Sequence, residues 1–311
     1  MRLCSVTSLM KFYPLPEALA VIADAGYQGV ELWGGLPHAY TDDFYDGGKL
    51  DQPIVDRCRR ILDASGLEVV SFLPEQCFYP VNFLIDDAPP FDGAKLRERS
   101  LAYFERAIDL TAALGIPRML ITTPFWGWAR HGERFRHDAG KALPRVVESF
   151  GRLTRRAEQR GVTLVLEPLT FLETTAVETL DDLVAVLDGV GSDALVAMLD
   201  TGHINVTARA LGQDPIEYLQ DHIDRLGPRL QHLHLDDNHG DLDAHLLPGE
   251  GNFDFVAAYA ALKRSGYRGW LSAELMMFGA NPVPPTPLEL LQRTREHTRW
   301  AWGTESELNQ G

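Results

Sequence analysis

Short apolar runs alternate along the chain with longer segments whose apolar residues recur every three to four positions. The runs at 2–7, 28–33, 67–73, 117–123, 162–167, 194–200, 229–236 and 269–275 are rich in Leu and β-branched residues. Charge meets them mainly at their C-terminal ends, a pattern that predicts buried parallel strands. Amphipathic patterns near 14–25, 53–65, 94–114, 138–160, 179–190, 212–226, 253–265 and 287–302 predict the helices between them. Ala25-Gly26, Ser65-Gly66, Leu114-Gly115, Arg160-Gly161 and Ser265-Gly266 supply helix-stop signals. Eight strands each followed by a helix predict an α/β chain folded as a single (β/α)8 TIM barrel, one domain over 1–311. A doubly wound sheet would carry a Gly-rich first turn, whereas Thr7-Ser8-Leu9-Met10 follows the first strand. Long loops at about 74–93 and 124–137 follow strands three and four, on the face where barrel enzymes place substrate lids.

Polar residues collect at the ends of the last four strands. Strand five ends at Glu167, strand six at Asp200 and strand eight at Glu274, while strand seven carries His234. Strand alternation puts His232, His234 and Asp236 on one face and Leu233 and Leu235 on the other, so the polar set is expected inside and the leucines against helices. Glu167, Asp200, His234 and Glu274 then converge as metal ligands at one barrel mouth. Three carboxylates and one imidazole suit one divalent cation of the Mn²⁺, Mg²⁺ or Co²⁺ kind, with manganese favoured. A second set stands close by: His203 follows Asp200, and Asp243 and His245 lie in the loop after strand seven. These three are expected to bind a second metal or to grip a polar substrate. Glu31, read as ending strand two, is a weaker candidate. Trp33, Trp126 and Trp128 on top-face loops either flank a sugar or pack. His232 reads as a hydrogen-bonded core histidine, and Cys77 has no visible base partner.

Composition narrows the function. The 311 residues carry 29 Lys+Arg against 44 Asp+Glu, a net charge of −15, so a nucleic-acid partner is not expected. No apolar run approaches the roughly 18 residues of a membrane helix, and the N-terminus enters a strand pattern without a signal-peptide stretch. Cys4, Cys58 and Cys77 are too scattered for a disulfide framework. The chain therefore reads as a cytoplasmic protein with no membrane partner; a homo-oligomer is compatible with this reading.

The chain resembles the xylose-isomerase-like TIM-barrel superfamily of sugar phosphate isomerases and epimerases. The resemblance rests on Gly29 through Gly35 with Pro37-His38, on Leu166-Glu167-Pro168-Leu169, and on Leu199-Asp200-Thr201-Gly202-His203. It continues through His232-Leu233-His234-Leu235-Asp236-Asp237 and Asp243-Ala244-His245 to Pro248-Gly249-Glu250-Gly251. Ketose 3-epimerases look closest in chemistry, and the stretches around Trp33–Ala39, Glu167–Thr170 and His245–Gly251 are similar to fructoselysine 3-epimerase. The resemblance implies Glu167, Asp200, His234 and Glu274 as ligands, with Glu167 and Glu274 also the acid/base pair. It implies Glu173 and His203 as substrate contacts, with Asp243, His245, Trp33 and His38 grouped beside them. The arginine that ketose 3-epimerases carry shortly after the strand-seven histidine has no counterpart near His239-Gly240. Endonuclease IV shares the Asp-x-x-His and Asp-x-His elements, but its extra histidines are missing here, where strand three ends Phe72-Leu73-Pro74. The expected activity is a metal-dependent epimerase or isomerase that abstracts a proton next to the carbonyl of a small carbohydrate, through an enediolate. The alternatives are a lyase, either an inosose-type dehydratase or a C-glycoside-cleaving enzyme, and a non-catalytic metal- or sugar-binding barrel.

Overall fold

The computed structural model describes residues 1–76, 83–84, 90, 92–124, 139–174, 176–276 and 285–308. Most of the expected loops at 74–93 and 124–137, with Cys77, Trp126 and Trp128, lie outside the described residues. Eight parallel strands close into a barrel: β1 (Leu3–Val6), β2 (Gly29–Gly34), β3 (Glu68–Pro74), β4 (Arg118–Thr122), β5 (Thr163–Glu167), β6 (Leu195–Asp200), β7 (Leu230–Leu235) and β8 (Trp270–Ala273). Each strand neighbours the one before and after it in sequence, and β8 returns to β1. Around them run α1 (Leu15–Asp24), α2 (Gln52–Ser65), α3 (Gly93–Ala113), α4 (Ala139–Arg160), α5 (Leu180–Val190), α6 (Thr201–Ala210), α7 (Pro215–Leu226), α8 (Phe255–Arg264) and α9 (Pro287–Leu308). Among the described residues, no helix is long and apolar enough to cross a membrane.

Packing groups the chain into two compact units. The first comprises Met1–Leu32, Ile61–Val70 and Met198–Gly311. In it β1 pairs with β8 through Leu3↔Leu271, Cys4↔Ser272 and Ser5↔Ala273, and β8 pairs with β7 through Ser272↔His234 and Ala273↔Leu235. Helix α1 buries Leu15, Ala18, Leu19 and Ile22, the i, i+3, i+4, i+7 stripe its sequence advertised. Each such leucine or isoleucine contributes about 1.5–3 kcal/mol by leaving water.

One helix in this unit departs from the sequence expectation. The 212–226 pattern accounts only for α7, and α6 begins directly after β6. Eight of the ten α6 residues, Thr201 through Ala208, are buried, so the helix has no polar face and shows no amphipathic period. Asp214 caps α7 by accepting from the backbone N–H groups of Ile216 and Glu217, and Pro215 fits the first helical turn; together they separate the two helices.

The second unit comprises Trp33–Arg60 and Ser71–Ala197. Strands β4 and β5 pair from Arg118↔Thr163 to Thr122↔Glu167, and β5 pairs with the start of β6 through Leu166↔Ala197. Helix α5 opens on a reciprocal capping box between Thr179 and Asp182. The outer faces of α3 and α4 are joined by Arg152 to Glu98 and Glu105, and by Arg156 to Asp109. Tyr45–Asp46 and Lys49–Leu50 form a small antiparallel hairpin that hydrophobic patterning alone did not reveal.

Candidate active site

In the first unit the end of β6 places Asp200 in a double role. Its Oδ1 accepts the backbone N–H of His203 at 2.9 Å, which caps α6. Its Oδ2 is buried with no hydrogen-bond partner among the described residues. His234, on the neighbouring strand, points Nδ1 at Glu274 Oε2, 2.7 Å away, and lies 3.9 Å from Asp200 Oδ2. Two donors each about 2.1 Å from a shared cation stand about 3–4 Å apart at angles between about 90° and 140°. The 3.9 Å between His234 Nδ1 and Asp200 Oδ2 and the orphaned carboxylate oxygen therefore fit a cation, while the 2.7 Å contact with Glu274 is shorter than that range. Asp200 and His234 are sealed, whereas the Glu274 side chain is 14% exposed, so the group opens to solvent at Glu274. The strand itself stops at Ala273, and the Glu274 N–H extends the ladder by donating to the Leu235 carbonyl. Burial raises the Glu274 carboxyl, but the His234 imidazole beside it, with His245 and His203, outweighs that and holds it below the usual range.

Below this group sits Glu31. It does not end β2, which runs on to Gly34; it is the third of six residues and fully buried. The sequence misplaced it because Leu32 and Trp33 continue the apolar run without marking where pairing stops. Its Oε1 accepts from His232 Nε2 at 2.9 Å and from His234 Nε2 at 3.1 Å. Burial opposes the charge on Glu31, yet the two imidazoles hold its carboxyl well below the ordinary carboxylate range. An ionised carboxylate only accepts, so both rings must carry their proton on Nε2. His232 is thus the hydrogen-bonded core histidine its position suggested. Cys4 lies against Glu31 and His232, and burial together with Glu31 pushes its thiol up, leaving it a protonated core residue.

The second set also assembles within this unit. His245 Nδ1 lies 2.8 Å from Asp236 Oδ2 and its Nε2 2.9 Å from Asp243 Oδ2. His203 Nε2 lies 3.6 Å from the same Asp243 oxygen. Burial disfavours charge on His245, but Asp243 and Asp236 prevail and raise it well above its ordinary value. His245 is held at φ 45, a left-handed conformation uncommon for a side chain of its size. Asp236 was not singled out in the sequence, although its inward register was the signal. Its Oδ1 accepts the Gly202 N–H at 2.8 Å, and a Cβ at Gly202 would stand 2.5 Å from that oxygen. The glycine is required by this close approach.

In the second unit Glu167 ends β5, buried and level with Thr122. Glu173 sits on the following turn, where Oε2 accepts from the Thr170 N–H and hydroxyl at 3.2 and 3.1 Å. Trp33 and His38 meet edge to face with ring centres 5.7 Å apart.

Residues 19–299 match the family described as xylose isomerase-like TIM barrel, and the chain belongs to it. It is 27% identical over 282 residues to fructoselysine 3-epimerase of Shigella flexneri, covering 91% of this chain and 92% of that one. It is 26% identical over 296 residues to 3-dehydroshikimate dehydratase of Pseudomonas aeruginosa, covering 91% of this chain but 41% of that enzyme. Among solved structures, D-psicose 3-epimerase in the presence of D-fructose superimposes with a TM-score of 0.76 at 19% identity, covering 97% of this chain and all of that one (100%).

Proposed function

We propose that the chain is a sugar epimerase of the ketose 3-epimerase kind, with one divalent cation held by Glu167, Asp200, His234 and Glu274. The observation that carries this reading is the facing of His234 Nδ1 and Glu274 Oε2 at 2.7 Å beside the orphaned Asp200 Oδ2. With Nε2 donating to Glu31, Nδ1 faces the carboxylate oxygens of Glu274 and Asp200 together, a convergence that calls for positive charge at that point. Within the first unit, Asp200 and His234 lie on β6 and β7, and Glu274 directly follows β8. Such a cation, when bound, supplies Lewis-acid stabilisation of the negative charge that develops on neighbouring substrate oxygens. Full-length likeness to a fructoselysine 3-epimerase supports a ketose or a ketose conjugate as substrate.

The acid/base work falls to Glu167 and Glu274. One carboxylate takes the proton from the carbon beside the carbonyl, and the bonding pair moves onto the carbonyl oxygen to give an enediolate. The other, protonated at the start of the turnover, gives its proton to the opposite face, the carbonyl re-forms with that carbon inverted, and the two carboxyls end with their protonation states exchanged. His203, with the Asp236–His245–Asp243 chain behind it, presents polar groups to the substrate hydroxyls. Manganese is the expected cation, since the donor set is three oxygens and one nitrogen. The test is incubation of Mn²⁺-loaded protein with D-fructose, D-psicose, D-tagatose and a fructosamine in D₂O. Deuterium at C3 with inverted product supports the reading. Loss of water assigns the chain to elimination, and absence of exchange from every sugar leaves a binding barrel.

A further inference from the structure

We propose that Glu31 is a positioning residue that locks the His234 imidazole with its proton on Nε2 and its Nδ1 lone pair turned to the cation. The inference rests on the metal-centre reading above and deepens it. Three observations support it. A single oxygen, Glu31 Oε1, accepts from both His232 and His234, at 2.9 and 3.1 Å. The two rings stand edge to face, centres 5.5 Å apart and 82° between planes, packed side by side against the same carboxylate. All three side chains are at most 1% exposed, so water does not compete for the bonds.

The consequence concerns where one proton sits. A neutral imidazole carries its proton on either nitrogen, and in His234 both nitrogens face a carboxylate: Nε2 faces Glu31 and Nδ1 faces Glu274. A proton on Nδ1 would be donated to Glu274 and would occupy both ligand atoms at once, closing the centre. Glu31 draws the proton to the far side of the ring and so keeps Nδ1 and Glu274 available. His232 supports this as a second donor that fixes the Glu31 oxygen in place. A carboxylate behind a ligating histidine fixes its tautomer and raises its basicity, an effect worth about 10- to 100-fold in metal affinity.

The test uses ¹⁵N-histidine-labelled full-length protein, metal-free, read by long-range ¹H–¹⁵N correlation with His234→Gln for assignment, followed by Co²⁺ titration. Wild type is expected to show His234 protonated on Nε2. Glu31→Ala is expected to move the proton to Nδ1 and to weaken Co²⁺ binding by about 10- to 100-fold. Glu31→Gln keeps the accepting oxygen without the charge, so it should retain the Nε2 proton and give an affinity between the two. Glu31→Ala with the proton still on Nε2 and Co²⁺ affinity within about twofold of wild type overturns the inference. Should Glu31→Ala not fold, Glu31→Gln decides, because an unchanged Hε2 shift together with unchanged Co²⁺ affinity overturns it equally. Wild type that binds no Co²⁺ refutes the metal-centre reading instead, while the tautomer measurement still tests Glu31.

Discussion

His234 Nδ1 and Glu274 Oε2 stand 2.7 Å apart, a contact that turns the ring nitrogen of a fully buried histidine toward the one partly exposed carboxylate of the group. Asp200 Oδ2, 3.9 Å from the same nitrogen, has no hydrogen-bond partner among the described residues. Three such atoms turned toward a common point are what a cation would hold together. Asp200→Asn should therefore lower Mn²⁺ affinity markedly, read by calorimetric titration. Chelation should also destabilise the protein: a cation at about 100 times its Kd contributes about 2.7 kcal/mol. An EDTA-treated sample whose Tm equals that of the Mn²⁺-loaded protein would contradict this.

His203→Ala should reduce kcat/KM on the true substrate by about 10- to 100-fold, the worth of one charge-assisted hydrogen bond. Mn²⁺ stoichiometry should stay at the wild-type level, because the His203 ring faces Asp243 while its bond to Asp200 is made by the backbone N–H, which alanine keeps. Kinetics indistinguishable from wild type would return His203 to a packing role.

Asp237 organises the loop that carries His245. Its two oxygens accept the backbone N–H groups of Asn238, Gly249, Gly251 and Phe253, at 2.9, 2.9, 2.9 and 3.2 Å. Asp237→Ala leaves those four donors to find water, and should cost on the order of 3 kcal/mol in urea denaturation. Asp237→Asn, which retains one carbonyl oxygen, should cost less. Equal stability for the alanine variant and wild type would show that the loop holds its shape by other means.

His222 gives the fold an acid-sensitive point. It is buried in α7 with Nδ1 at 2.8 Å from the Tyr218 carbonyl, and burial lowers its pKa to about 4. Unfolded, it titrates near the ordinary value of about 6.5. Between these values the unfolded chain binds the extra proton, so the stability from keeping the ring neutral is intact above about pH 6.5 and is lost as pH falls toward about 4. The loss from pH 7 to pH 5 should be about 2 kcal/mol. His222→Phe, which keeps a ring against Tyr218, should be less stable than wild type at pH 7 and should close the gap by about that amount at pH 5. A gap independent of pH would remove His222 as the cause.

The barrel was legible because each buried strand is a compact apolar run and most helices carry a stripe. Where both signals fail, the reading fails: α6 is buried on all sides and lacks a period, and the 45–50 hairpin has strands of two residues. The ligand candidates were legible because a charged group at the end of an apolar strand has few reasons to be there. Glu31 shows the limit of that argument. A carboxylate in mid-strand looks like a strand end, and only its two histidine partners, some 200 positions later (|i−j| 201 and 203), reveal why it is buried. Asp236 was similarly hidden beside the more conspicuous His234, because its partners Gly202 and His245 come from a helix start and a loop.

The two glutamates assigned to proton transfer can be separated by labelling. Two-faced transfer requires Glu167 and Glu274 on opposite sides of the reacting carbon, each within about 3.5 Å of it or of its proton. Glu274 is held below the usual carboxylate range and reaches solvent, so at neutral pH it rests as an anion ready to accept a proton. Glu→Gln substitution at either position keeps the size and one oxygen, and should lower epimerisation by at least about 10²-fold while some Mn²⁺ is retained. The variants should differ when a single epimer is supplied in D₂O. The one lacking the returning acid still exchanges the substrate proton without inverting the carbon, whereas the one lacking the base exchanges nothing. Swapping the epimer should swap the two phenotypes, because the base for one face is the acid for the other. Substantial turnover by either variant, with metal occupancy confirmed, would leave both residues as ligands alone and move the proton transfer to another group.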